Sequence, residues 1–243
     1  MPLLGSRSLA THLWRARTPG AYRMTLAVGL LGASLLGFAK LASDVLAGDP
    51  IVSYDDAVAV WLHGHSTAAV TAAFLAATQL GSTLVLAGGA VAAVAVLAVR
   101  RRVADAVLVI TAVAGSELTN AVLKAVVHRG RPEFADPVAK AGGYSFPSGH
   151  AMAALTLYGA LGYVIASRVE GTRRRAGWVG LALAVVVLVG VSRLYLGVHY
   201  LSDVLAGYAA GAAWLLLSIL AVSLASLSAK RRGQPATTVA GAA

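Results

Sequence analysis

Long stretches without charged residues dominate this chain of 243 residues. Six of them approach the roughly 20 residues that a helix needs to cross a bilayer. They cover residues 24–39, 82–99, 106–123, 151–167, 176–192 and 204–229, with Glu117 as the one charge among them. Charged residues make up only 12% of the chain, about half the share that is usual in soluble domains. The sequence therefore predicts an all-α integral membrane bundle of six transmembrane helices.

The chain between the first two spans is expected to form short interfacial helices. The uncharged run 66–99 is too long for one upright helix at about 1.5 Å per residue. Gly81 offers a break and Ser82 an N-cap, which predicts a shallow helix near 67–79 before the second span. The segment 54–63 begins with two aspartates and then alternates in polarity, which favours a second interfacial helix over a seventh crossing.

Basic residues cluster on one side of this six-span arrangement. Most of the 20 Lys and Arg residues fall there; they are Arg7, Arg15, Arg17, Arg23, Arg100, Arg101, Arg102, Arg168, Arg173, Arg174, Arg175, Lys230, Arg231 and Arg232. The positive-inside rule makes this side cytoplasmic, with both termini inside a multi-pass protein of the cell membrane. The formal net charge of +10 therefore indicates topology and not binding to nucleic acid.

This topology divides the chain into three parts. Residues 1–23 are a cytoplasmic N-terminal segment, 24–229 form the membrane domain, and 230–243 are a cytoplasmic tail. A cleaved signal peptide within residues 1–40 is the alternative, but Lys40 near the outer end of the first span and the lack of a clear cleavage site favour an uncleaved anchor. The chain has no cysteine, which excludes disulfides, thiolate metal ligands and cysteine nucleophiles.

Two features inside the spans are expected to serve packing. Glu117 is expected to hydrogen-bond within the bundle, with pairing to a cation of the candidate site as the alternative, because a carboxylate in a membrane is costly when unpaired. The pair Gly88-Gly89 and the many alanines indicate close helix packing and not a cofactor motif.

The first of three outward segments lies at the end of the third span. Lys124 supplies a mobile point charge and Arg131 a planar fork that matches phosphate oxygens. Pro132 biases Arg131 away from helical geometry, so that the guanidinium would turn across the mouth of the bundle. Both cations could instead snorkel to the interface. His128 and Arg129 are expected to face water, with substrate contact as the alternative.

The second segment precedes the fourth span. Pro147 and Ser148 are typical of a helix start, where Ser148 supplies the N-cap and the free amides of the first turn favour an anion. His150 lies in that first turn and is able to donate a proton to a departing oxygen. An ordinary cap and an interfacial histidine are the alternatives for these two residues.

The third segment links the last two spans. If the last helix begins near Gly197 or Val198, His199 and Asp203 share one face of it. A carboxylate at that distance can accept one imidazole N–H and direct the lone pair of the other nitrogen outward, which describes a nucleophile and its orienting group. A purely structural hydrogen bond is the alternative.

The three segments together resemble the tripartite signature of the type 2 phosphatidic acid phosphatase family. The matching residues are Lys124, Arg131, Pro132, Pro147, Ser148, Gly149, His150, Ser192, Arg193, His199 and Asp203. The resemblance implies a metal-independent and cofactor-free phosphatase in which His199 attacks phosphorus, Asp203 orients it and His150 protonates the leaving oxygen. It also implies that the phosphoryl oxygens are held by Lys124, Arg131, Ser148, Gly149 and Arg193.

The expected substrate is a lipid phosphate or diphosphate that reaches the site from the bilayer. The resemblance and the outward site favour a polyprenyl diphosphate such as undecaprenyl diphosphate, hydrolysed to the monophosphate through a phosphohistidine. Phosphatidate, phosphatidylglycerophosphate and transfer of the phosphoryl group to another lipid are the enzymatic alternatives. A lipid-phosphate transporter is the non-enzymatic alternative, although a histidine with an aspartate four residues on and a second histidine favours bond cleavage.

Overall fold

The computed structural model describes residues 19–134 and 136–232, with side chains over 24–134 and 136–229. These ranges hold eight α-helices and no strand; the helices are α1 (Pro19–Ala47), α2 (Ile51–Gly64), α3 (Ala68–Thr78), α4 (Thr83–Val99), α5 (Val103–Val127), α6 (Gly149–Ala166), α7 (Thr172–Tyr195) and α8 (Leu201–Arg232). The expectations for residues 1–18 and 233–243 lie outside the described residues.

The helices provide the expected membrane spans. Five of them, α1, α5, α6, α7 and α8, are long and apolar enough to cross a bilayer. Helices α3 and α4, which meet at 43° across a break, pass the same test only as a pair, so the described residues contain five candidate spans, or six with this bent pair. The prediction of an all-α membrane bundle is therefore confirmed, with five to six candidate spans.

The break between α3 and α4 lies where the sequence predicts it. Ser82 caps α4, and its Oγ accepts a hydrogen bond from the Val85 amide at 3.4 Å. Just before it, a Cβ on Gly81 would lie 2.5 Å from Val189 Cγ1 and 3.1 Å from His150 Cδ2. The missing side chain therefore lets this bend pack against α6 and α7 beside one of the candidate catalytic residues.

Helix α2 has an exposed apolar face and a buried acidic side chain. Tyr54, Val60 and Trp61 are exposed by 60% or more, which suits a helix lying at a membrane interface. Asp55, in contrast, is completely buried. The helix is longer than the expected segment 54–63, and it delivers a carboxylate into the bundle.

Helix α6 lies in the centre of the bundle and packs against α5, α7 and α8. Its approach to α8 depends on two glycines of α8. A Cβ on Gly207 would lie 2.7 Å from the Ser148 carbonyl oxygen, and one on Gly211 would lie 2.9 Å from that of Met152. Small residues at this spacing allow close contact between helix backbones in membranes, and here they bring the start of α6 onto the start of α8.

Of the two packing expectations, one holds in part and the other is wrong. A Cβ on Gly88 would meet nothing within 4 Å, but one on Gly89 would lie 3.4 Å from Leu157 Cδ2 of α6, so one glycine of the pair faces a neighbouring helix. Glu117 is exposed on α5 and forms no hydrogen bond with the described side chains, because its face of the helix points away from α4, α6 and α8.

We expect Gly207→Ala to destabilise the protein, because the new methyl group must push the backbone of Ser148 away. Overpacking of this kind costs about 1–3 kcal/mol, which outweighs the gain in helix propensity of up to about 1 kcal/mol. Gly88→Ala is the matched control and should leave stability unchanged or raise it. Thermal unfolding in detergent measures both; equal stability of the two variants would contradict the close α6–α8 contact.

Candidate functional site

The three sequence segments meet at one end of the bundle, where α5 and α7 end and α6 and α8 begin. Backbone hydrogen bonds join them: the Ser148 amide donates to the Asp203 carbonyl at 2.9 Å, and the Ser145 amide donates to that of Arg129 at 2.9 Å. All the residues that the sequence nominates for the site lie at this end. Segments that are far apart in sequence thus form one site.

His199 lies in a turn and not in a helix. The expected helix start near Gly197 is wrong, because Gly197 has a left-handed φ of +64° and α8 begins only at Leu201. The pairing expected from the spacing still forms, with Nδ1 of His199 3.4 Å from Oδ2 of Asp203. On the other side of the ring, Nε2 lies 3.2 Å from Nη1 of Arg131.

These two contacts define the protonation of the His199 ring. A guanidinium can only donate, so Nε2 carries a lone pair toward Arg131 and Nδ1 carries the proton toward Asp203. The pKa of His199 is lowered from 6.5 to about 4, chiefly by burial, with Arg131 and Arg193 adding to the shift and Asp203 opposing it. At neutral pH the imidazole is therefore neutral, and its Nε2 lone pair points into the site.

Asp203 is fully buried and held on both carboxylate oxygens. Its Oδ1 accepts from Nη1 of Arg129 at 2.8 Å, and its Oδ2 accepts from the Tyr200 amide at 2.9 Å. The second bond is one half of a capping box, in which the third residue of a helix reaches back to the amide before the helix. The carboxylate beside His199 is thus fixed by the start of α8 and by a cation.

That cation, Arg129, is the residue that sequence reasoning missed. It was expected to face water, but its Nη2 donates to Oδ2 of Asp55 at 2.8 Å and its Nη1 also donates to Oγ of Ser202 at 2.7 Å. The guanidinium lies 4.2 Å above the Tyr200 ring. Although burial favours its neutral form, Asp203 and Asp55 raise the pKa of Arg129 above its ordinary value, so it remains charged.

Asp55 is the second residue that the sequence did not nominate. It accepts from the Ser202 amide at 2.8 Å, which places a buried carboxylate at the positive end of the α8 dipole. Asp55 and Arg129 are 74 positions apart, and no local spacing pattern connects them. The one hint was a pair of adjacent aspartates, Asp55 and Asp56, in the interfacial segment.

Arg131 and Lys124 close the mouth of the site by binding backbone carbonyls. Arg131 donates to Gly142 and Gly143 at 3.0 Å each and to Val198 at 2.6 Å. Lys124 donates to the Tyr144 carbonyl. A phosphate oxygen is a stronger acceptor for both cations than a neutral carbonyl. A bound anion can therefore replace the carbonyl contacts of Lys124 and Arg131.

Two buried polar groups have unused hydrogen-bonding capacity. Arg193 is 8% exposed and Ser148 is fully buried; Nη1 of Arg193 donates to Thr78 Oγ1 at 2.9 Å. Neither Nε of Arg193 nor Oγ of Ser148 has a partner among the described residues. Ser148 occupies the expected N-cap position, but its hydroxyl forms no cap bond. Since buried polar groups are normally satisfied, both groups indicate a site for a polar ligand.

The first turn of α6 brings the second histidine into the same field of charges. His150 lies within electrostatic range of Arg193, His199, Arg131 and Lys124. The preceding Gly149 allows α6 to start close to α5, because a Cβ there would lie 3.0 Å from Oδ1 of Asn120. The arrangement can hold a tetrahedral oxyanion between cations and helix amides and present an imidazole nitrogen to it.

Comparison with known proteins agrees with this chemistry. Residues 105–226 match the PAP2 superfamily, and this range contains every residue that the sequence nominates for the site. The chain is 38% identical over 112 residues to phosphatidylglycerophosphatase B of Bacillus subtilis (strain 168). That alignment covers 46% of this chain and 55% of the relative, so the chain matches about half the length of this curated relative.

Solved structures extend the similarity over the bundle. The crystal structure of the first transmembrane PAP2 type phosphatidylglycerolphosphate phosphatase from Bacillus subtilis is 30% identical with a TM-score of 0.73, and the match covers 83% of this chain and 98% of that one. Aquifex aeolicus LpxE, at 22% identity and a TM-score of 0.54, covers 66% of this chain and 91% of its own and shares the fold.

The lowered pKa of His199 has a direct spectroscopic test. In protein labelled with ¹⁵N-histidine, the His199 ring should stay neutral with the proton on Nδ1 as the pH falls from 7 to 5, and it should protonate only near its pKa of about 4. His199→Asn assigns the signal by its loss. A titration midpoint near the ordinary value of about 6.5 would contradict the buried, cation-flanked ring.

Arg129→Gln should destabilise the protein strongly, because it leaves two buried carboxylates without a counter-charge. Removing one partner of a buried ion pair typically costs about 3–5 kcal/mol. Adding Asp55→Asn to the same chain should recover part of this loss, since one orphaned charge is then gone. Thermal unfolding measures the series, with the exposed Lys140→Gln as control; failure of the double variant to recover any stability would contradict the network.

Proposed function

Because this chain belongs to the PAP2 superfamily, we propose that it is an integral membrane lipid phosphatase that works through a phosphohistidine at His199. The observation that carries the proposal is the neutral His199 ring, whose Nδ1 pairs with Asp203 at 3.4 Å and whose Nε2 lone pair faces the cations of the site. An anion-binding protein without chemistry has no need of a nucleophile with an orienting carboxylate.

The first chemical step begins when a phosphate enters the site. Arg131 exchanges its contact with Nε2 of His199 for the phosphoryl oxygens, which frees the lone pair. Nε2 then attacks phosphorus and forms an N–P bond while the P–O bond to the lipid breaks. The bound phosphate offsets the charge of the surrounding cations and stabilises protonated His150, which gives its proton to the departing oxygen, and Asp203 stabilises the positive charge that develops on the His199 ring.

The second step releases phosphate. Water attacks the phosphohistidine, an O–P bond forms and the N–P bond breaks, while His150 accepts a proton from the water and regains its starting state. Lys124, Arg131, Arg193 and the first amides of α6 hold the phosphoryl oxygens through both steps. Electrostatic stabilisation by donors that are already in position is a large part of such catalysis.

The site is proposed to face the non-cytoplasmic side of the cell membrane. The clustering of arginines at the opposite end of the bundle supports this orientation through the positive-inside rule. A lipid could then keep its tail in the bilayer while its phosphate reaches His199, and water would enter from outside. Single cysteines at Ala139 and Gly171 test the orientation with an impermeant thiol reagent in intact cells, where only Ala139→Cys should be labelled.

Two lipid classes are candidates for the substrate. A polyprenyl diphosphate such as undecaprenyl diphosphate is favoured by an outward site rich in cations, and the leaving group would be the lipid monophosphate. Phosphatidylglycerophosphate is favoured by the names of the curated Bacillus subtilis relative and of the Bacillus subtilis crystal structure that the chain resembles. Both reactions use the same residues, so substrate preference must be measured.

Turnover of purified protein separates these candidates and tests the nucleophile. We expect phosphate release from polyprenyl diphosphate or phosphatidylglycerophosphate at a higher kcat/KM than from phosphatidate or short soluble esters. His199→Ala should lose more than about 10³-fold in kcat, and His150→Ala about 10²–10⁴-fold. The exposed Lys140→Ala is the control. Phosphate release by His199→Ala at the wild-type rate would refute the proposed nucleophile.

We also expect activity to survive chelation of divalent cations, because the proposed positive field comes from protein groups. Phosphate release should be the same with and without EDTA. Arg131→Lys should not restore full activity relative to Arg131→Gln, since a lysine cannot reproduce the bidentate fork. Loss of activity in EDTA with recovery on addition of Mg²⁺ would overturn the metal-free reaction.

A further inference from the structure

A large cavity lies in the half of the bundle remote from His199. It occupies about 1050 Å³ between α1, α6, α7 and α8. Its wall is almost entirely aliphatic, with Leu30 of α1, Leu183 of α7 and Leu216 of α8 among the lining side chains. Leu30 and Leu183 are still 50% and 53% exposed, so the cavity opens on the lipid-facing surface of the bundle.

The cavity is separated from the candidate site. Val186 lines it near the end that faces His199, and the Tyr208 hydroxyl donates to the Val186 carbonyl at 2.9 Å. This tyrosine fills the space between α7 and α8, where Gly190 leaves room for its ring. None of the candidate site residues lines the cavity, whose α7 wall extends from Val186 to Arg175, away from His199.

One cation lines the cavity at the end remote from His199. Among the described side chains that line the cavity, Arg175 is the only charged one. Its Nε donates to the Val169 carbonyl at 2.9 Å, and neither Nη group has a partner among the described residues. Arg173 and Arg174 are in the same turn of α7 and exposed, but neither lines the cavity, so Arg175 is the cation placed to pair with phosphate oxygens there.

We propose that the cavity binds one phospholipid with an anionic headgroup, taken from the leaflet opposite the candidate site. Its acyl chains lie between α1 and the helices α6, α7 and α8, and its phosphate pairs with the Nη groups of Arg175. The apolar wall accounts for the chains and Arg175 for the headgroup. This lipid is a resident ligand and not the substrate, because no residue of the candidate site lines its cavity.

The probe for this site is a phosphatidylglycerol with a photoactivatable group on one acyl chain, in phosphatidylcholine nanodiscs that hold the full chain. Mass spectrometry of the cross-linked peptides should place the label on residues of α1, α7 and α8 that line the cavity. Arg175→Gln should reduce labelling by about ten-fold, the value of one lost charge-assisted hydrogen bond, whereas Arg174→Gln should not. Ala212→Phe, which fills the cavity, should also reduce labelling, with Ala114→Phe on the exposed face of α5 as its control.

Several outcomes would overturn this assignment. Equal labelling by a phosphatidylcholine probe, or labels spread evenly over the exposed helix faces, would show that the cavity does not select an anionic lipid. An equal loss of labelling in Arg174→Gln would show that Arg175 has no special role. Absence of labelling in the full chain would show that a protein segment fills the cavity. Displacement of the probe by geranylgeranyl phosphate at concentrations that saturate the candidate site would assign the cavity to the substrate tail instead. Arg175 is a surface residue, so Arg175→Gln remains informative even if Ala212→Phe does not fold.

Discussion

One guanidinium neutralises two carboxylates that are fully removed from water. Arg129 lies between Asp55 and Asp203, at 2.8 Å from an oxygen of each. Buried charges are tolerated only when they are paired and hydrogen-bonded, and here the remaining carboxylate oxygens accept amides from the start of α8. The interfacial helix α2, the segment after α5 and the first turn of α8 are therefore held in one arrangement.

The same network divides the cations of the site into two groups. Asp55 and Asp203 neutralise the charge of Arg129. This guanidinium therefore holds Asp203 in place but contributes little attraction for an anionic ligand. Arg131 and Lys124 donate to neutral carbonyls, and Arg193 keeps a buried Nε without a partner among the described residues. Attraction for an anion therefore comes from Lys124, Arg131 and Arg193. Arg129 contributes indirectly, because it positions Asp203, which in turn pairs with the His199 ring.

The sequence predicted what depends on local patterns. The span lengths, the break before Ser82 and the grouping of the three segments follow from hydropathy, capping and spacing, and all of them occur in the structure. The pairing of Arg129 with Asp55 was not predicted, because the two residues are 74 positions apart and no local sequence pattern around either one indicates the other. Ser148 also has the residue type and position of an N-cap, yet its hydroxyl makes no cap bond. Whether an N-cap serine forms this bond depends on the tertiary structure and cannot be read from the local sequence.

The displacement of His199 from the helix explains why three separate segments are needed. If His199 were inside α8, one edge of its ring would lie against its own helix. It could then contact Asp203, four residues on, but the contact with Arg131 would not be expected. The turn at Gly197, with its positive φ, places the ring between α8 and the segment after α5. Asp203 then binds Nδ1 from one side and Arg131 contacts Nε2 from the other, so that two segments control one imidazole while α6 brings the second histidine.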